Sequence, residues 1–291
     1  MTIWERLGII TDEVSASLQQ SLDWMVEHGL RYAEIRMVDG RNIMELSDSE
    51  IINVKEQLDR RGLSVSAVAS PVFKCALDPL RPVAVGDTFG HKEESVSAHF
   101  EKLKRAMEIA KMLDTRMIRI FSFWRESDPA PVGKKIIQHL RRAADLAEAE
   151  NMLLLLENEP SCNGGTAPET AYFVNRVNSS ALRVVWDPGN EQFAGRAAYP
   201  DGYEQVKNIV AHVHLKDVRP GSNGLPECVP IGSGVVAYRE QLARILEDGY
   251  PGLFIIEPHY IPQGGTAREG AALCLNGLRT LLQSDGFTIS R

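Results

Sequence analysis

Met152-Leu153-Leu154-Leu155-Leu156-Glu157 decides how the rest of the chain is read. Five apolar residues in a row, closed by a carboxylate, have the length of a strand. They do not alternate as a strand with one wet face would. A run of this kind is buried on both faces, as in a parallel sheet covered by helices. Seven further runs have similar character: 7–11 (LGIIT), 32–36 (YAEIR), 65–70 (VSAVAS), 117–122 (MIRIFS), 182–187 (LRVVWD), 210–215 (VAHVHL) and 253–257 (LFIIE).

Helix-period segments fill the gaps, at 15–28, 47–61, 96–113, 132–150, 168–177, 201–208, 237–248 and 266–282. The first ends at Gly29, suited to a left-handed cap. The second opens with Ser47 and Glu50 at capping-box spacing. The third sets Phe100, Leu103, Met107 and Ala110 on one face, and the fourth does so with Ile136, Leu140, Ala143 and Ala147. Eight strand–helix units in 291 residues predict an α/β fold, a (β/α)8 TIM barrel occupying 1–291 as a single domain, in preference to an open sheet. A long loop at about 71–95 follows strand three and is expected to act as a lid, with His91 as its contact to substrate.

Composition excludes several classes. A chain of this length can bury about 75% of its unfolded surface, so it needs no staple to fold. Cys75, Cys162, Cys228 and Cys274 are far apart, which argues against a zinc knuckle or a disulfide scaffold. A cytoplasmic location is expected. No run approaches the ~18 apolar residues of a membrane span, and residues 1–10 do not read as a signal peptide. The net charge of −7 argues against a nucleic-acid partner.

In a barrel of this kind the active site lies at the carboxyl ends of the strands. Four consecutive strands end in Glu157, Asp187, His214 and Glu257. Each carboxylate alone is as well explained as a helix cap. Together, on strands about 4.8 Å apart, three carboxylates would repel one another without a cation among them. One mixed O/N site for a divalent ion, Mn²⁺, Co²⁺, Mg²⁺ or Zn²⁺, follows. His212 and His214 share a face, and one of them is the nitrogen ligand. Glu157 is preferred to Glu159 because a strand end is the more rigid support.

Around this set lie the candidate substrate contacts. Asn190 follows a turn imposed by Pro188 and Gly189. Lys216 continues the face of the two histidines. Trp124, with Phe121 and Phe123, offers a wall for a sugar ring or packs in the core. Arg125 and Arg219 are candidate anion binders. Gly232-Ser233-Gly234 could present backbone N–H groups to a phosphate. Glu34 and Arg36 are expected to form a structural ion pair.

The segments Leu156-Glu157-Asn158-Glu159-Pro160, Trp186-Asp187-Pro188-Gly189-Asn190, His212-Val213-His214-Leu215-Lys216-Asp217 and Ile256-Glu257-Pro258-His259 resemble, in order, the signature of the xylose isomerase-like TIM-barrel superfamily. The sugar phosphate isomerase/epimerase branch is the most similar. The resemblance implies one divalent ion held by Glu157, Asp187, His214 and Glu257. It also implies acid and base roles for Glu157 and Glu257. The expected activity is isomerisation or epimerisation of a carbohydrate through proton abstraction next to a carbonyl, by way of an enediolate. A metal-dependent dehydratase like inosose dehydratase is the alternative, followed by a non-catalytic sugar-binding barrel. Many relatives carry histidine where this chain has Asn190, which touches a substrate contact and not the metal. An endonuclease with three zinc ions fits poorly, because Ser70, Phe121-Ser122 and Asn190 stand where histidines would be needed. Relatives are often dimers or tetramers, so a homo-oligomer is expected.

Overall fold

A computed structural model describes residues 2–84, 86–129, 131–222 and 224–284. Eight parallel strands close a barrel: β1 (Leu7–Ile10), β2 (Tyr32–Ile35), β3 (Ser64–Val68), β4 (Met117–Ile120), β5 (Leu153–Glu157), β6 (Leu182–Trp186), β7 (Val210–Leu215) and β8 (Leu253–Ile256). The ring is sealed by β1 pairing with β8, Leu7 opposite Phe254. Gly8 sits at this seam and at the β1–β2 pairing. A side chain there would meet the Tyr32 carbonyl at 2.2 Å, so only hydrogen fits.

The helices are α1 (Leu18–His28), α2 (Asp48–Asp59), α3 (Val96–Met112), α4 (Gly133–Ala149), α5 (Ala167–Val177), α6 (Pro188–Phe193), α7 (Tyr203–Val206), α8 (Tyr238–Glu247) and α9 (Ala267–Ser284). Gly29 caps α1 at φ +73°, and Ser47 and Glu50 form the capping box of α2. Alternate residues of each strand face opposite sides. Leu154, Leu156, Val184 and Trp186 pack outward against the helices. Leu153, Leu155, Val185 and Ala67 form a separate apolar cluster filling the barrel interior. Glu157 has the parity of Leu153 and Leu155, and Asp187 that of Val185. Both therefore stand on top of the interior plug.

Two features differ from the expectation. The turn after Asp187 is the short helix α6, with Asp187 as its N-cap: Oδ1 accepts the Asn190 N–H at 2.9 Å. Pro188 lacks a backbone N–H and is preset for the first helical turn, so the same residue that breaks the strand starts a helix. Two hairpins are also added, Met37–Val38 with Arg41–Asn42 and Asp217–Pro220 with Pro226–Val229. Their strands are too short to show a hydrophobic period.

Candidate functional site

Ligand-type atoms of Glu157, Asp187, His214 and Glu257 come within 4.8 Å of one another at the carboxyl ends of β5 to β8. All four side chains are buried. His214 Nδ1 lies 3.5 Å from Glu157 Oε1 and 3.5 Å from Glu257 Oε2. Among the described residues, His214 Nδ1 and Glu157 Oε2 are buried without a hydrogen bond. Unpartnered buried atoms of this polarity are costly. A set of three carboxylates and one imidazole nitrogen at this spacing is a fitting cradle for a divalent ion. Asn190 Nδ2 donates to Glu157 Oε1 at 3.3 Å. Asn158 braces Asp187, donating to its carbonyl at 2.8 Å and accepting its N–H at 2.9 Å.

Cations crowd around these acids. Lys216 Nζ sits 2.8 Å from Asp187 Oδ2 and 2.9 Å from Glu257 Oε2. Arg119 Nη1 is 3.4 Å from Glu157 and 3.9 Å from Glu257. Arg36 reaches Glu257 at 3.5 Å. These charges set the protonation states. Burial alone would raise Glu157, but the Arg119 charge and His214 hold it below its ordinary value. Burial is likewise outweighed at Glu257, where Lys216 and His259 keep the carboxyl well below the usual range. At Asp187 burial prevails. Lys216 offsets it only in part and the two glutamates add to it, so Asp187 is pushed up to about 6. Burial works against the Lys216 ammonium, yet Asp187 and Glu257 more than restore it and its pKa is raised.

Glu34 is the site residue that sequence reasoning misplaced. It forms no pair with Arg36. Its Oε1 and Oε2 accept from His214 Nε2 at 3.0 Å and His212 Nε2 at 2.6 Å, and Ser66 Oγ donates to it at 3.3 Å. Burial would raise this carboxyl, but the two histidines hold it well below the carboxylate range. Arg36 turns instead to Asp12 at 2.7 Å and Glu13 at 2.6 Å. Strand neighbours two apart share a face, but β7 supplies Glu34 with two better partners from across the barrel. Arg119 was missed as well, since a lone arginine inside MIRI carries no sequence signal until the strand is rolled into a barrel.

The remaining candidates divide. Lys216, Asn190 and His212 stand in or directly under the site. Trp124 is buried, with its Nε1 donating to Glu93 at 2.8 Å. His91 instead pairs with Lys102, at 3.0 Å from Nζ. Arg219 is engaged by Glu227 at 2.7 Å in the exposed hairpin. Arg125 is held by both oxygens of Glu169, at 3.0 and 2.7 Å. The glycine turn is not free for phosphate. The N–H groups of Gly232 and Gly234 already donate to Asp217 Oδ2 at 2.8 and 3.0 Å. Glu159 stays outside the acidic quartet and accepts from Ser161. It lines a cleft of about 380 Å³ at the mouth together with Asn190, Lys216, Cys228 and His259.

Fold and site together define a parallel β/α barrel with an acidic, cation-seeking cluster at the strand ends. The family model of the xylose isomerase-like TIM barrel matches residues 22–276, and the chain belongs to that family. An uncharacterized protein of Methanocaldococcus jannaschii is 31% identical over 264 residues, 87% of this chain and 83% of that protein. L-ribulose-5-phosphate 3-epimerase UlaE of Salmonella paratyphi C is 23% identical over 173 residues, 58% of this chain and 59% of the epimerase. The crystal structure of IOLI protein with a binding zinc atom superposes with a TM-score of 0.75 at 19% identity, covering 98% of this chain and all of that one (100%). Among the described residues, no helix is long and apolar enough to cross a membrane.

Proposed function

We propose that the chain is a divalent-metal-dependent isomerase or epimerase of a sugar, sugar acid or polyol ketone. The observation that carries this reading is the convergence of Glu157, Asp187, His214 and Glu257 within 4.8 Å, each from its own strand, with His214 Nδ1 left without a hydrogen bond among the carboxylates. Those four residues would hold Mn²⁺, Co²⁺, Mg²⁺ or Zn²⁺. The epimerase relative and the zinc in the IOLI protein support the same direction.

A divalent ion held there supplies fixed positive charge beside a substrate carbonyl, lowering the cost of the negative charge left when the adjacent carbon loses its proton. The protein moves that proton. Glu257, ionised through Lys216 and His259, accepts it. For epimerisation Glu157, three strands round the rim, takes up a proton from water and delivers it to the same carbon from the other side; for isomerisation the protonated Glu257 passes its proton on to the next carbon. Lys216 Nζ and Asn190 Nδ2 hydrogen-bond substrate oxygens and fix which C–H faces the base.

A second reading, dehydration, rests on His259. Its Nε2 lies 3.2 Å from Glu257 Oε1, which puts a proton donor for a departing hydroxyl beside the base. The experiment is a screen of ketoses, aldoses and keto-inositols with Mn²⁺ in D₂O, followed by NMR. Deuterium should enter next to the carbonyl, and Glu257→Gln should abolish the exchange. Exchange that persists in this variant removes Glu257 from the reaction. A conjugated enone product would select dehydration, and no exchange with any candidate would overturn the proposal.

A further inference from the structure

Resting on the reading of Glu157, Asp187, His214 and Glu257 as the ligands of a divalent ion, we propose that Lys216 is a tethered competitor of that ion. Its ammonium and the ion hold the same two carboxylate oxygens in turn, and loading of the ion releases Lys216 into the mouth to meet substrate. Lys216 follows His214 by two residues and so continues its face at the end of β7. Its Nζ donates to Glu257 Oε2 at 2.9 Å and lies 2.8 Å from Asp187 Oδ2. A cation of the chain itself thus bridges two of the four ligand side chains.

These are the two oxygens an ion needs. Asp187 Oδ1 is committed to the Asn190 N–H as the cap of α6, which leaves Oδ2. Glu257 Oε1 is turned to Arg36 at 3.5 Å and His259 at 3.2 Å. Its Oε2 lies 3.5 Å from His214 Nδ1, the nitrogen of the ligand set. Divalent ions bind oxygen at about 2.0–2.6 Å. An ion and an ammonium on one pair of oxygens would stand side by side, and in a buried site their repulsion is poorly screened. Arg119 does not compete in this way. It stands 3.4 Å from Glu157 and 3.9 Å from Glu257, too far for charge-assisted hydrogen bonds, so it offsets charge from the side without taking an oxygen.

The root of Lys216 is fixed while its stem has somewhere to go. Tyr238 Oη donates to the Lys216 carbonyl at 2.8 Å. Gly189 lies against the same carbonyl and leaves room for the first carbons of the stem. Beyond them, Lys216 lines the cleft of about 380 Å³ together with Glu159. Glu159 has Lys74 at 3.6 Å from its Oε2, too long for a hydrogen bond, so the cleft offers the displaced ammonium a carboxylate. Rotation about side-chain bonds suffices for the transfer. An order of events follows. The hydrogen bonds that Lys216 gives to substrate become available once the ion has taken Asp187 and Glu257, so the ion binds first and substrate second.

The test compares the full chain with Lys216→Met, which keeps most of the stem and removes the charge. Mn²⁺ is titrated into both and followed by electron paramagnetic resonance. Lys216→Met should bind it about ten-fold more tightly, the factor that one charge-assisted hydrogen bond is worth. Melting temperatures are taken with a chelator and with saturating Mn²⁺. With chelator the variant should melt below the wild type, because three carboxylates have lost a counter-charge, and saturating Mn²⁺ should close the gap. A measurement on the wild type needs no variant: acetic anhydride labelling of Lys216, read by mass spectrometry, should rise when Mn²⁺ is added. Equal or weaker Mn²⁺ binding by Lys216→Met, a melting gap that persists with Mn²⁺, or labelling that is unchanged or falls would each overturn the proposal and leave the ligand set standing. Mn²⁺ binding by neither protein would overturn the ligand set as well. None of these readouts involves turnover.

Discussion

Glu34 on β2 and His214 on β7, 180 residues apart in the chain, share a hydrogen bond of 3.0 Å at the centre of the barrel. The ionised Glu34 makes Nε2 the donor and leaves Nδ1 facing Glu157 and Glu257. A carboxylate that fixes the tautomer of an imidazole ligand is worth roughly 10–100-fold in metal affinity. Glu34→Gln offers one acceptor oxygen where two histidines need one each. Its Mn²⁺ dissociation constant, followed by electron paramagnetic resonance, is expected to rise by that factor. An unchanged constant would show that Glu34 serves only to fill the barrel.

A ligand that binds only the folded chain stabilises it by about 2.7 kcal/mol at 100 times its dissociation constant. Mn²⁺ at that excess should therefore raise the melting temperature of the wild type. Asp187→Asn should lose the increment, because it removes one of the four charged or imidazole arms. A full metal-dependent shift in Asp187→Asn would remove Asp187 from the ligand set.

Gly189 lies in the first turn of α6, against β7. A methyl group there would meet the Lys216 carbonyl at 2.6 Å and its Cβ at 3.0 Å. Backbone cannot give way cheaply, so Gly189→Ala should cost about 1–3 kcal/mol in urea unfolding. Because α6 also carries Asn190, substrate affinity should fall with it. Wild-type stability in the variant would mean that α6 can slide outward freely.

Asp217 is buried and accepts the N–H groups of Val218, Gly232, Gly234 and Val236. Asp217→Ala would strand several buried donors at roughly 1–3 kcal/mol each. A loss of at least about 3 kcal/mol is expected, with loosening of residues 230–237 visible in hydrogen exchange. A small loss with unchanged protection would show that water replaces the carboxylate.

His99 supplies a pH dependence away from the acidic quartet. Burial, aided by Lys102, lowers its pKa from 6.5 to about 4, and its Nδ1 accepts the Phe73 N–H at 2.9 Å. The unfolded chain takes up a proton near pH 6.5 while the folded chain resists until about 4. The stabilisation from neutral His99 is therefore complete above pH 6.5 and is lost as the pH falls toward 4, a matter of up to about 3 kcal/mol. Unfolding free energies from pH 7 to 4 should decline less steeply in His99→Gln than in the wild type. Parallel slopes would refute the assignment.

The barrel itself was legible in the chain. Apolar runs such as 152–156, with no alternation, read as strands covered on both sides, and eight of them separated by capped helices leave few architectures. The strand-end positions of Glu157, Asp187, His214 and Glu257 were legible for the same reason, since strand parity places each above the interior plug. What the sequence could not show was who faces whom across the ring. Glu34 looked like a partner for Arg36 because they are neighbours, yet closure sets it beneath His212 and His214. Arg119 on β4 reaches Glu157 and Glu257 only across the closed ring. Local periodicity reports which face of an element is buried. The distances that decide charge pairing in a barrel run through its centre, and those exist only once β1 has found β8.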